Sequence, residues 1–100
     1  MSSITISNVV YYLNGPSYVV GNNSRNGGIS DPSLSGEIVI QEKVNGNFVT
    51  EISRYAFETC SSITKVFIHA KITKICYRAF IWCENLQYIN IPSTVTLDRK

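Results

Sequence analysis

The sequence is poor in the residues from which catalytic and metal sites are commonly built. It contains one histidine, His69, and three cysteines, Cys60, Cys76 and Cys83, with no Cys-x-x-Cys pair. An odd number of cysteines without such pairs argues against a disulfide framework and against a zinc site. A thiol hydrolase would have to pair His69 with Cys76, and neither an orienting third group nor a glycine-rich oxyanion turn accompanies that pair. We therefore predict no catalytic residues, no metal site, no cofactor and no enzymatic activity.

A strong charge of one sign and long apolar stretches are also missing. The formal net charge is +2, and the basic group of Lys71, Lys74, Tyr77 and Arg78 lacks a recognisable nucleic-acid motif, which favours a solvated patch. No segment approaches the roughly 18 consecutive apolar residues of a membrane span. The first residues lack the basic and apolar regions of a signal peptide. The sequence thus predicts no nucleic-acid partner and no membrane span. It also predicts that the chain is either not conventionally exported or a fragment that has lost its export signals.

What the sequence does contain is an internal repeat. An offset of 23 residues links apolar or small residues of the same kind along the second half of the chain. The linked pairs are Ile52 and Ile75, Ala56 and Ala79, Phe57 and Phe80, Cys60 and Cys83, Ile63 and Leu86, Val66 and Ile89, and Ile68 and Ile91. A fixed period of this length is typical of solenoid proteins. We predict that these residues form the structural core of the repeats.

Each repeat combines a strand with a compact bend. Ile63, Val66 and Ile68 are spaced as the inward residues of a short strand. The segments 54–60 and 77–83 suit about one turn of α or 3₁₀ helix, which would place Phe57 and Cys60 on one face. A unit this small cannot bury its apolar face alone. Stacking would lay each phenylalanine on the next phenylalanine and each cysteine on the next cysteine.

These residues resemble the BspA-like leucine-rich repeats. The stretch VTEISRYAFETCSSITKVFIHAKITKICYRAFIWCENLQYINIPSTVT is similar to the family pattern LxxIxIPxxVTxIGxxAFxxC, and SGEIVIQEKVNGNFVTEI resembles the way such arrays begin. The resemblance covers about residues 35–97. The family's glycine is replaced by Ser53 and Cys76, and its proline appears only as Pro92, with Gln41 and His69 at the other two sites. The resemblance implies an α/β leucine-rich-repeat solenoid, rich in strands with short helical or 3₁₀ turns.

The two ends of the chain differ in character from the repeats. Apolar runs around Asn14-Gly15-Pro16 predict an N-terminal β-hairpin, followed by a mobile polar surface loop over residues 21–35. We expect residues 1–34 to form a hairpin cap and loop, and residues 35–100 to form about two and a half repeats, 35–62, 63–85 and a partial 86–100. No polar closing repeat follows, so self-association through an open C-terminal end is a further expectation.

The outward residues of the strands form the candidate binding face. If Ile38, Val66 and Ile89 point inward, alternation sends their neighbours to the exposed side of the sheet. Stacking would then give two rows, one of Glu37, Lys65 and Tyr88 and one of Val39, Phe67 and Asn90. Exposed aromatic residues on a regular sheet have the composition of a contact surface.

The expected function is protein–protein interaction. The family resemblance implies cell-surface or secreted proteins that adhere to host cells or to extracellular matrix. The missing signal peptide favours an alternative, an intracellular structural scaffold or a fragment of a longer repeat protein. The sequence leaves both readings open.

Overall fold

The computed structural model describes residues 3–76 and 78–98, and these residues form strands, turns and loops without a helix. Tyr77, Arg99 and Lys100, which belong to the predicted basic group, third repeat and tail, lie outside the described residues. The strands are β1 (Ser3–Ile6), β2 (Val9–Asn14), β3 (Ser17–Val20), β4 (Ser35–Val39), β5 (Lys43–Val44), β6 (Asn47–Ile52), β7 (Ser62–Phe67), β8 (Lys74–Cys76), β9 (Tyr88–Asn90) and β10 (Thr96–Asp98). The strand-rich character that the sequence predicts is therefore confirmed. In the described part of the chain no helix has the length and apolarity to cross a membrane.

The strands form two sheets. The first, which we call the long sheet, has the order β1-β2-β3-β6-β8-β10, with β5 paired to β6. The second, which we call the short sheet, consists of β4, β7 and β9, all parallel. From β6 onward the chain alternates between the two sheets. We call each repeat unit, which contributes one strand to each sheet, a coil.

The coils stack with the period seen in the sequence. Val66 pairs with Ile89 in the short sheet, and Ile52 pairs with Ile75 in the long sheet. Where the chain enters the long sheet, the amide of Thr73 donates to the carbonyl of Thr50 at 2.8 Å, and Thr96 repeats the bond to Thr73 at 2.8 Å. The predicted stacking of phenylalanines is also present, since the centres of the Phe57 and Phe80 rings lie 5.2 Å apart and the angle between the ring planes is 4°. Like residues therefore pack on like residues from coil to coil.

The segment that was expected to be helical is a series of turns. The amides of Ala56, Glu58 and Cys60 donate to carbonyls three residues back, at 3.1–3.2 Å. The amides between them, those of Tyr55, Phe57 and Thr59, donate instead to the next coil, to Arg78 O, Ala79 O and Ile81 O. In a continuous helix, successive amides beyond its first turn would all donate within the helix rather than alternate between the turn and a neighbouring segment. Because successive amides donate in alternation, the segment forms hydrogen bonds both within its turns and to the next coil. This backbone path requires positive φ at Tyr55 (68°) and Thr59 (57°). The helical prediction is therefore wrong for the described residues.

The N-terminal strands extend the long sheet only. β2 and β3 form the predicted hairpin, with Asn14 opposite Ser17, and β3 pairs in parallel with β6. The turn between β1 and β2 has positive φ at Ser7 (50°) and Asn8 (67°), as a two-residue type I′ hairpin requires.

The loop that follows β3 was predicted to be a mobile surface loop, but hydrogen bonds join it to the hairpin and to the first turn segment. Ser30 is buried, its Oγ accepts from the amide of Val10 at 3.2 Å, and its own amide donates to Ala56 O at 2.8 Å. Arg25 Nε donates to both carboxylate oxygens of Glu58, at 2.8 and 2.9 Å. The side chain of Glu58 is 8% exposed, so this bond supplies a partner to a charge that is largely removed from water.

The core lies between the two sheets and the turn segments. Most of the predicted repeat positions are buried, namely Ile52, Ala56, Phe57, Cys60, Ile63, Val66, Ile68, Ile75 and Ala79. The others that pack against them are partly buried, namely Phe80, Cys83, Leu86 and Ile89. Ile91 departs from the prediction. It is 46% exposed, because no described strand packs beyond β9 to cover it.

Candidate functional site

The exposed face of the short sheet presents the two rows that strand alternation predicts. Glu37 pairs with Lys65 and Lys65 with Tyr88, while Val39 pairs with Phe67 and Phe67 with Asn90. Parallel pairing in register places the side chains of each row next to one another on one side of the sheet. We call these six residues the strand face.

The strand face contains one ion pair and one aromatic pair. Lys65 Nζ lies 3.6 Å from Glu37 Oε2, and both side chains are largely exposed. The Phe67 and Tyr88 rings are 6.0 Å apart and tilted by 53°, a geometry that aromatic pairs favour. Val39 is 64% exposed and Tyr88 is 49% exposed. The face therefore combines a preformed apolar centre with two charges that remain in water.

Asn90 does more than line this face. Its Oδ1 accepts from the amide of Ile68 at 2.7 Å, and its Nδ2 donates to the carbonyl of Ile68 at 2.8 Å. The side-chain amide thus extends the backbone ladder between β7 and β9 by one residue. Asn90 was predicted as a contact residue, and the structure places its amide group on the protein's own backbone.

His69 and Gln41 lie at the ends of the strands, beyond the two rows. The amide of Lys71 donates to His69 Nδ1 at 3.1 Å, so Nε2 carries the ring proton and donates to the carbonyl of Gln41 at 2.9 Å. Both ring nitrogens are therefore engaged by backbone groups. Cys76 Sγ lies 3.8 Å from Glu51 Oε2 and 3.9 Å from Asn23 Oδ1. His69 is consequently not placed as a base for this thiol.

All three cysteines are free thiols. Burial raises the pKa of Cys60 to about 12, with smaller contributions from Cys83 and Asp31. Burial also raises the pKa of Cys83 to about 11, against the lowering effect of a backbone hydrogen bond at Cys60. Cys83 Sγ lies 3.1 Å from the carbonyl of Phe57. Thiols held in this protonated state are poor nucleophiles and poor metal ligands.

Two aromatic features outside the strand face, one exposed and one half-buried, were not singled out from the sequence. Trp82 is 62% exposed beside Thr59 and Glu84 on the turn segment. The ammonium groups of Lys43 and Lys71 each lie 4.8 Å from the centre of the Phe48 ring. Trp82 could have been identified, because the period places it in register with the polar, exposed Thr59.

The described residues contain no group of three or more His, Cys, Asp or Glu side chains arranged to hold a metal ion. The grooves found among the described residues are shallow and open to solvent.

Comparison with known proteins gives one family. A family model described as a BspA type leucine-rich repeat region, of six copies, matches residues 29–98. No curated protein and no solved structure matched the chain.

Proposed function

Because the chain belongs to the BspA-type leucine-rich-repeat family, we propose that it is a protein–protein interaction module that binds its partner through the strand face. Repeat proteins of this kind stack their units into an extended surface that commonly serves for binding. The observation that carries the proposal is the pair of half-buried Phe67 and exposed Tyr88 beside exposed Val39 on a regular sheet.

The physical chemistry of the strand face supports this role. Aromatic residues such as Tyr are enriched among the few residues that dominate binding energy at protein interfaces, because they bury a large area and lose little conformational entropy on binding. Here the sheet already holds the two rings side by side, so little ordering remains to be done. The ion pair of Glu37 and Lys65 is exposed and contributes little to folding. Its two charges are therefore available to select a partner of complementary charge.

The partner that we propose is a host-cell or extracellular-matrix protein, with adhesion at the cell surface as the biological role. This part of the proposal rests on the family resemblance alone. We further propose that residues 1–34 act as an N-terminal cap, since β3 covers the edge of β6 in the long sheet. Self-association through the outer edges of β9 and β10, where Ile91 is exposed, is proposed as a secondary contact.

The test is binding of the purified chain to immobilised host-cell and matrix proteins. A Phe67→Glu, Tyr88→Glu variant is expected to bind at least about ten-fold more weakly, because truncating a central interface aromatic commonly costs about 2 kcal/mol or more. A Trp82→Glu variant, which adds one negative charge rather than two at an exposed aromatic position on the turn segment, is the control and should bind like the parent. Circular dichroism checks the folding of both variants.

Three outcomes decide between the readings. Loss of saturable binding only in the strand-face variant supports the proposal. Equal binding by all three chains would move the contact to another surface. No binding by any chain would favour the alternative, a scaffold segment or a fragment of a longer repeat protein.

A further inference from the structure

One edge of the short sheet has no neighbouring strand. The N-terminal strands β1, β2 and β3 continue the long sheet past β6, whereas β4 pairs only with β7. Within residues 3–76 and 78–98 the other edge of β4 therefore carries backbone donors and acceptors without a partner strand. This edge lies at the N-terminal side of the repeats and is independent of the C-terminal end.

The hydrogen bonds at the end of β4 show which backbone groups face outward. The amide of Ile40 donates to Phe67 O in β7 at 3.2 Å, whereas the amide of Gln41 donates away from β7, to the hydroxyl of Tyr11, at 3.1 Å. Backbone groups of successive residues in a strand point to opposite edges. The amides and carbonyls of Glu37 and Val39 therefore point the same way as the amide of Gln41, toward the unpaired edge.

A groove of about 340 Å³ follows this edge. Val9, Leu34 and Ile38, all buried or nearly so, supply apolar surface within it. The opposite wall includes Ser7 in the tight β1–β2 turn, and the neighbouring Asn8 accepts a hydrogen bond from the amide of Asp31 at 3.1 Å. Ser7 and the outer edge of β4 therefore line the same groove, and a strand added to β4 would lie about 4.8 Å from it.

From these observations we infer that the outer edge of β4 binds an extended segment of a partner protein as a fourth strand of the short sheet. The hydrogen bonds come from the backbone of Glu37 and Val39, and alternate apolar side chains of the segment enter the groove over Val9 and Leu34. The intervening side chains stand on the exposed side, beside the carboxylate of Glu37, so basic residues suit those positions. A folded edge, such as that of a second copy, is a poorer fit because the β1–β2 turn stands in its way.

An irregularity at Gly36 limits how far the added strand can extend. The register between β4 and β7 shifts between Gly36 and Glu37, where β7 has the extra residue Thr64, and Gly36 in β4 has a φ of 71°. A positive φ interrupts the extended backbone of β4 at Gly36. Pairing is thereby confined to residues 37–39 at the end of β4, which gives a short site for a peptide and protects the protein from continuous edge-to-edge aggregation.

The test uses the capped peptide Lys-Val-Lys-Val-Lys-Val as the probe and amide hydrogen exchange by NMR as the readout. On saturation with peptide, exchange of the Glu37 and Val39 amides is expected to slow by at least about ten-fold, because they gain hydrogen bonds. The amides of Ile38 and Ile40 already face β7 and should change little. The same peptide with every residue N-methylated keeps its side chains but lacks all of its amide donors, whichever direction it runs, and it should bind at least about ten-fold more weakly.

Two variants of the chain separate the edge from the strand face. Val39→Pro removes the outward amide at a position where an edge strand tolerates proline, and it should lose peptide binding. Val39→Ala shortens the same side chain but keeps the amide, so it should bind the peptide more tightly than Val39→Pro. Phe67→Glu, which alters the strand face, should also keep peptide binding, so failure of this inference and failure of the proposed function can be told apart.

The contrary results are equally specific. Absence of peptide binding, equal binding of the N-methylated peptide, or protection that omits Glu37 and Val39 would each overturn the inference. A concentration-dependent dimer in sedimentation that Val39→Pro abolishes would also overturn it, by assigning the edge to a second copy.

Discussion

Cys60 and Cys83 occupy the same position in successive coils, and their burial should lower the free energy of unfolding at high pH. The two thiols are equivalent under the repeat, and burial raises their pKa values from 9.0 to about 12 and about 11. Below pH 9 both the folded and the unfolded chain keep these thiols protonated. Above pH 9 the unfolded chain loses the protons first, so the free energy of unfolding should fall as pH rises toward 11, by at most about 1.4 kcal/mol per pH unit for each thiol.

Urea unfolding between pH 8 and pH 11 measures this slope. Other groups, including Tyr11, whose pKa is raised by burial, also contribute in this range. The Cys60→Ala, Cys83→Ala variant isolates the thiols, because it keeps those groups and lacks only the two sulfurs. We expect the variant to be less stable at pH 8 but to lose stability less steeply above pH 9. Parallel slopes for the two chains would show that the thiols ionise as easily in the folded state as in the unfolded one.

The junction between β7 and β9 depends on a side chain where the backbone ladder ends. Asn90 makes two hydrogen bonds to the backbone of Ile68, and Asn90→Ala leaves those two groups without this partner. We expect a loss of about 1–2 kcal/mol in the free energy of unfolding, together with faster exchange of the Ile68 amide. Asn85→Ala is the matched control, because Asn85 makes one bond, to Ser61 O, at an exposed site. If both variants lose the same small amount, Asn90 does not hold β9 to the sheet.

At this scale the sequence predicts strands better than the segments between them. Val66 and Ile89 keep both the period of the repeat and the alternation of a strand, so their register and the two outward rows could be derived. The spacing of Phe57 and Cys60 did not separate a helix from turns, because a bond to a carbonyl three residues back occurs in both. What decides between them is the donation from Tyr55, Phe57 and Thr59 to the next coil, a contact between segments that no local pattern records.

The same limit applies to the whole molecule. The repeat equates Ile91 with Ile68, yet Ile68 is buried and Ile91 is 46% exposed, because burial depends on which coil lies next to a residue. The role of Asn90 and the unpaired edge of β4 were missed for a related reason. One depends on a long-range side-chain bond, and the other on the N-terminal strands joining one sheet and not the other.

A stack of coils should open from its less covered side, and two threonines allow a direct test. The amides of Thr73 and Thr96 make equivalent bonds of 2.8 Å to the preceding coil, so residue type and bond length are matched. Thr73 begins a coil that is followed by β10, whereas Phe80, Leu86 and Ile89 in the last coil are only partly buried. Because stability in repeat proteins is roughly a sum over neighbouring units, we expect native-state hydrogen exchange to be clearly faster at Thr96 than at Thr73. Equal rates, both falling with the global free energy of unfolding, would instead mean that the described coils open as one cooperative unit.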